Sequence, residues 1–319
     1  MVLPLSLLSL LWASTYLRST HASRQSLIVT NNSKAGLAWP NGDFVDIQQF
    51  TKTGKVSWYY TWGPIGVDTT DIEFVPMLWG ADQVDQFTSS INRTLQRTGA
   101  TAVLGMNEPQ ETGQSNLTPE QGVAMWTAYL EPLKSQGVRL GSPAPSGAPS
   151  GKQWLLDWLG ACGNNCTVDF IALHWYDVNA TKFQEYLEDF HSTFQRPLWV
   201  TEWTCQNFNN ATAQCSPEDI IAFMNQTQSF MDSTLWVERY AWFGAMENLQ
   251  GVNPEDGLMT STGKINSLGM QYINESSTSS ATPSIPPSAI IPSLAFPVSR
   301  NPALFCAIYC LVFLSGFLS

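Results

Sequence analysis

Histidine and basic residues are scarce in this chain. There are 3 His in 319 residues, and Lys and Arg total 15 against 26 Asp and Glu. The net charge of −11 excludes the basic footprint that nucleic-acid binding requires. No Gly-rich nucleotide turn follows the first apolar run, which argues against a doubly wound sheet built around a dinucleotide. No internal repeat is present, and charged residues make up only 13% of the chain. The surplus is in tryptophan, with 13 residues. Many Trp with few charges suit a neutral ligand with flat apolar faces, such as a sugar, although part of the set must simply fill the core.

Cysteine is sparse as well. Cys306 and Cys310 fall in a terminal apolar tail, leaving Cys162, Cys166, Cys205 and Cys215. In a secreted chain these four imply two disulfides. Three pairings are open, and short separation favours Cys162 with Cys166 and Cys205 with Cys215. Zinc is the weaker alternative, because no His stands near a Cys pair at finger spacing. No metal or cofactor is expected.

Both ends differ from the middle. Leu3 to Leu17 is mostly apolar and Thr20-His21-Ala22 follows, so residues 1–22 read as a secretory signal, though without an early Lys or Arg. N-x-[ST] triplets at Asn31, Asn92, Asn116, Asn165, Asn179, Asn210, Asn225 and Asn274 support secretion. Residues 275–302 are rich in Ser, Thr and Pro and read as a disordered stalk. Residues 303–319 form a short apolar tail with no basic cluster after it. This is the pattern of a GPI-attachment signal, with Ser279-Ser280-Ala281 and Ser288-Ala289 as candidate attachment regions; a retained membrane anchor is the rival. A monomer attached to the cell surface or wall only through lipid is the expectation.

Between the ends, residues 23–274 carry eight strand-like apolar runs: Gly36–Pro40, Val56–Trp62, Glu73–Trp79, Thr101–Gly105, Val138–Ser142, Phe170–His174, Leu198–Thr201 and Val237–Trp242. Helical faces lie between later runs. Thr118-Pro119 opens one, with Val123, Trp126, Leu130 and Leu133 at helical spacing, and Ser216-Pro217 opens another. A segment with Phe183, Tyr186, Leu187 and Phe190 is capped by Ala180-Thr181 on this reading, and Trp154 and Trp158 sit on a core-facing helix. Strands alternating with helices in a single domain predict an α/β fold of the (β/α)8 TIM-barrel type. In such a barrel, functional groups gather at the C-terminal ends of the strands. Those ends carry Trp39, Trp62, Trp79, Asn107-Glu108, His174-Trp175-Tyr176, Glu202-Trp203 and Trp242. Two strand-end carboxylates able to meet across one pocket are the machinery of glycoside hydrolysis.

The same motifs resemble a known group. Asn107-Glu108-Pro109 and Thr201-Glu202-Trp203 are similar to the retaining glycoside hydrolases of clan A. Gly36-Leu37-Ala38-Trp39, Tyr60-Thr61-Trp62-Gly63-Pro64, Phe74-Val75-Pro76-Met77-Leu78-Trp79-Gly80, Gly141-Ser142-Pro143-Ala144 and His174-Trp175-Tyr176 resemble glycoside hydrolase family 128, fungal and bacterial endo-β-1,3-glucanases. The resemblance runs from about Ser33 to Ile273. It implies Glu108 as acid/base, Glu202 as nucleophile and Asn107 as the ligand of the reacting sugar's 2-hydroxyl. His174 is read as a sugar ligand or a partner of a catalytic carboxylate, with a satisfied core His as the alternative. Tyr176 is one candidate for steadying the nucleophile. Trp39, Trp62, Trp79, Trp203 and Trp242 are candidates for sugar stacking. The substrate implied is β-1,3-glucan. A wall-binding protein that retains the barrel but not the turnover, and a clan A glycosidase of another β-linkage, are the alternatives.

Overall fold

The computed structural model describes residues 34–68 and 70–275. The expected signal, the sequon at Asn31, the stalk beyond residue 275 and the apolar tail lie outside the described residues.

Eight short strands run parallel: β1 (Ala35–Ala38), β2 (Val56–Tyr60), β3 (Glu73–Phe74), β4 (Ala102–Val103), β5 (Arg139–Leu140), β6 (Ile171–Tyr176), β7 (Leu198–Thr204) and β8 (Val237–Trp242). Six pair in the order β3-β2-β1-β8-β7-β6, and β4 pairs with β5. Two seams close the ring. Leu104 N donates to Pro76 O at 2.9 Å beyond β3, and Ser142 N donates to Phe170 O at 3.0 Å between β5 and β6. The result is the expected (β/α)8 barrel. β3 and β5 are shorter than their apolar runs; within Glu73–Trp79, Pro76 has no N–H to give to a ladder.

Helices α1 (Val84–Thr98), α2 (Pro119–Met125), α3 (Pro149–Cys162), α4 (Ala180–Phe194), α5 (Pro217–Ser233) and α6 (Ser267–Tyr272) follow strands β3 to β8. The first two strands are followed by loops with a single 3₁₀ turn, Ile47–Phe50, instead of α-helices. Local chemistry sets the starts. Thr118 and Ser216 each form a reciprocal capping box, with Gln121 and Asp219, and Pro occupies the first turn of both helices. The cap of α4 is Asn179, not the Ala180-Thr181 expected: its side chain accepts from the amides of Thr181 and Lys182.

Alternation along the strands makes two shells. Trp58, Tyr60, Phe170, Ala172, Trp199 and Ala241 fill the barrel, while Leu37, Ile171, Leu173, Leu198, Val200 and Tyr240 belong to the larger cluster that takes in the helices. Gly36 is required here, because a Cβ on it would lie 2.2 Å from the Trp58 ring. One irregularity shapes the site. Leu173 of β6 pairs with Val200, yet the next residue, His174, pairs with Glu202, so Thr201 is an extra residue in β7. The register against β8 shifts at the same place, between Val200 and Trp203. One extra residue reverses which face the following side chains take. Glu202 therefore enters the barrel mouth, and Trp203 turns outward into the helical core.

The disulfides are Cys162–Cys166 and Cys205–Cys215. The seven sequon asparagines among the described residues, Asn92, Asn116, Asn165, Asn179, Asn210, Asn225 and Asn274, are all exposed. No described helix is long and apolar enough to cross a membrane.

Candidate active site

Glu108 follows β4, and the backbone sets it in place. Asn107 N donates to Trp79 O at 2.9 Å and Glu108 N to Ala144 O at 2.7 Å, which ties this turn to both neighbouring strands. Glu108 has φ = 38°, in the left-handed region. A non-glycine residue held there carries about 1–3 kcal/mol of strain, an amount typical of functional sites. The bulge in β7 delivers Glu202 from the opposite side.

His174, inward on β6, joins the two. Its Nδ1 lies 2.8 Å from Glu108 Oε1 and 3.5 Å from Glu202 Oε2. All three side chains are buried, and their facing ligand atoms fall within 4.8 Å of one another. That spacing could hold a divalent cation as well as a proton, a set the sequence does not reveal because the three residues lie far apart along the chain. Glu202 is surrounded by donors. Tyr176 OH donates to Oε2 at 2.6 Å, Trp62 Nε1 to Oε1 at 2.7 Å, and Tyr60 OH reaches Oε1 at 3.4 Å. Trp62 has φ = 55°, a second left-handed residue at the same pocket.

The electrostatics follow from burial and proximity. Burial pushes the Glu108 carboxyl upward; the hydrogen bond and charge of His174 oppose this, the charge of Glu202 adds to it, and the net shift is up. Burial acts to lower His174, but Glu202 and Glu108 outweigh it and raise the imidazole. The hydroxyls of Tyr60 and Tyr176 are raised, first by burial and then by Glu202, so both remain donors. The pocket can thus keep a proton on its Glu108–His174 side while Glu202 is held by hydrogen bonds from the other.

The remaining sequence candidates separate. Asn107 is buried beside Glu108, and Trp79 and Trp62 are half-buried against the inner cluster at the mouth. Trp39, Trp203 and Trp242 have no exposed surface and offer no face to a sugar. This corrects the stacking role expected of them. Trp39 packs edge-on to Phe50, Trp203 bonds Thr227 Oγ1 and Trp242 bonds Asp256 O. The aromatic wall is made instead by Phe243, one residue past Trp242, which packs against Trp62 and Tyr176, with Phe208 also against Tyr176. Sequence reasoning also missed Tyr60, although it shares the inward parity of Trp58 on β2, and Gln114, whose side chain accepts from Asn107 Nδ2 and which sits in a loop without periodic signal. A surface groove lined by Asn179, Gln214, Asp219 and Phe223 contains none of these groups.

A parallel barrel with two buried, facing glutamates at its C-terminal mouth defines a glycoside hydrolase. The family described as the glycosyl hydrolase catalytic core matches residues 36–272, so the chain belongs to that family, within glycoside hydrolase family 128. It is 31% identical over 249 residues to alkali-sensitive linkage protein 1 of Schizosaccharomyces pombe, covering 76% of this chain and 45% of that protein. The chain therefore spans less than half the length of this relative. Among solved structures, it is similar to a curdlan-specific exo-β-1,3-glucanase of Blastomyces gilchristii, with 31% identity, TM-score 0.62, and coverage of 75% of this chain and 97% of that one. It is also similar to an endo-β-1,3-glucanase of Amycolatopsis mediterranei bound to laminaritriose, with 29% identity, TM-score 0.64, and coverage of 76% and 100%.

Proposed function

We propose that the protein is a secreted, surface-anchored endo-β-1,3-glucanase that cleaves with retention of configuration. The observation that carries this reading is the approach of Glu108 and Glu202 across His174, with facing oxygens no more than 4.8 Å apart. Retaining enzymes hold their carboxyl groups about 5–5.5 Å apart, whereas inverting ones need about 6.5–9.5 Å to admit a water. Glu108 protonates the departing glycosidic oxygen as Glu202 attacks the anomeric carbon. In the second step Glu108 removes a proton from water, which displaces Glu202. Burial raises the Glu108 carboxyl, which favours the protonated form that the first step needs. Tyr176, Trp62 and Tyr60 orient the nucleophile, and Asn107 binds the 2-hydroxyl of the reacting sugar. Trp62, Trp79, Phe243 and Tyr176 form the aromatic surroundings of the chain. Names of the relatives support β-1,3-glucan as substrate.

The relatives include both exo- and endo-acting enzymes, so product length is the discriminating readout. Secretion is supported by the apolar leader, by seven exposed sequon asparagines and by two disulfides, and a GPI anchor by the Ser/Thr/Pro-rich residues 275–302 followed by the short apolar residues 303–319. The test is incubation of residues 23–274 with laminarin and a linkage panel, following anomers by proton NMR and product length by chromatography, with Glu202→Gln alongside. Mixed-length β-anomers from β-1,3-glucan alone, lost in the variant, are expected. Initial α-anomers overturn retention, and glucose alone from the outset overturns endo action. Release of the full-length protein from cells by a phosphatidylinositol-specific phospholipase tests the anchor.

A further inference from the structure

The loop after Glu108 turns back on Asn107. Glu111 N donates to Glu108 O and Gln114 N to Glu111 O, each at 3.0 Å, forming successive turns. Ser115 then reaches the Asn107 carbonyl twice, from its amide at 3.2 Å and from Oγ at 2.7 Å. Gln114 Oε1 accepts from Asn107 Nδ2 at 3.1 Å. Space for this clamp exists because residue 80 is glycine; a Cβ there would lie 2.7 Å from the Ser115 Cβ.

The clamp leaves one group unsatisfied. Asn107 is only 4% exposed, yet its Oδ1 has no partner. An orphaned buried amide oxygen is costly and rare. Nothing in an Asn side chain's shape distinguishes its oxygen from its nitrogen, so orientation is set by neighbours alone. Gln114 is the only side chain among the described residues shown bonded to this amide.

We propose that Gln114 is a positioning residue: it fixes the Asn107 amide so that its remaining hydrogen-bonding capacity meets the 2-hydroxyl of the reacting sugar. The inference rests on the glucanase reading above and on the role given there to Asn107. Ser115 holds the backbone in any Gln114 variant, so removing Gln114 frees only the side chain. The amide can then turn over and present the wrong polarity to the hydroxyl.

The test uses two aryl β-laminaribiosides, one with and one without the 2-hydroxyl on the sugar that bears the aryl group. The ratio of their kcat/KM values reports the 2-hydroxyl contact. In Gln114→Leu the ratio should fall on the order of 10–100-fold, the cost of one mispaired buried polar group. In Gln114→Glu, which keeps an acceptor oxygen, most of it should return. An equal loss on both substrates, or an unchanged ratio, overturns the proposal. Should Gln114→Leu fail to fold, Gln114→Met is read by the same criteria. NMR of the wild-type Asn107 side-chain amide supplies a check without mutation: slow hydrogen exchange supports the clamp, and exchange as fast as that of a solvent-exposed amide overturns it. A wild-type enzyme inactive on both compounds sinks the glucanase reading and this proposal together. An active enzyme whose ratio ignores Gln114 sinks the proposal alone.

Discussion

Replacing Glu108 by Gln separates leaving-group protonation from everything else in the pocket. The amide keeps the size of the side chain and can keep the 2.8 Å contact to His174 Nδ1, but it has no proton to transfer. General acid catalysis contributes about 10²- to 10⁴-fold, which is about 3–5 kcal/mol of barrier. The structure argues for the upper half of that range. Glu108 is 5% exposed, so water from bulk is a poor substitute donor. On laminarin, kcat/KM for Glu108→Gln should fall on the order of 10³–10⁴-fold. A dinitrophenyl β-laminaribioside, whose leaving group needs no proton, should be cleaved in its first step within about tenfold of the wild-type rate. The glycosyl-enzyme should then accumulate as a burst, because no base activates water. Azide needs no base; adding it should restore turnover and yield the β-glycosyl azide. Equal losses on both substrates, with no burst and no azide effect, would refute the acid/base assignment.

Three further outcomes follow from single contacts. Trp62→Phe removes the 2.7 Å donor to Glu202; a hydrogen bond to a charged group is worth about 1.5–3 kcal/mol, so kcat should drop about 10- to 150-fold with little change in melting temperature. A drop matched by an equal rise in KM would contradict an orienting role. Trp203→Phe should do the reverse, lowering stability by about 1–3 kcal/mol in denaturant titration while KM stays fixed, because Trp203 packs outward and bonds Thr227. Asp256 is fully buried, and its carboxylate oxygens lack a well-formed hydrogen bond although Thr204 and the Cys205 amide lie alongside; burial pushes it up to about 8. A folded pKa raised above the unfolded value of about 3.9 means that the folded state binds more protons between the two. The stability this group contributes is therefore full below about pH 4 and lost as pH rises to about 8, and Asp256→Asn should flatten that decline. An unchanged slope of melting temperature against pH would count against the buried carboxyl as its source.

How much of this was legible in the chain depended on where alternation held. β8 and the capped starts of α2 and α5 followed directly from apolar periodicity and from Thr118-Pro119 and Ser216-Pro217. Strict alternation was also enough to sort Trp39, which shares the outward parity of Leu37, and Trp242, which shares that of Tyr240. Position at a strand end was the weaker guide, because it does not say which face a side chain takes. Trp203 is different. Alternation from Trp199 would turn it inward, and only the bulge at Thr201 reverses it, bringing Glu202 in instead. A register shift is a property of paired strands and leaves no mark on one strand's sequence. Tyr176 was already a candidate for steadying Glu202, but its convergence with Tyr60 of β2 and Trp62 just beyond β2 on one carboxylate, and the link from Gln114 to Asn107 through a loop closing on itself, depend on residues meeting in space and leave no local pattern.

Retention by double displacement requires Glu202 to form a covalent bond to the sugar. Incubating the wild-type protein with 2-deoxy-2-fluoro-β-laminaribiosyl fluoride and mapping the peptides by mass spectrometry tests it directly. One adduct on the peptide that contains Glu202, absent from Glu202→Gln, is the predicted result. An adduct on Glu108, or no adduct together with initial α-anomers from laminarin, would contradict the account.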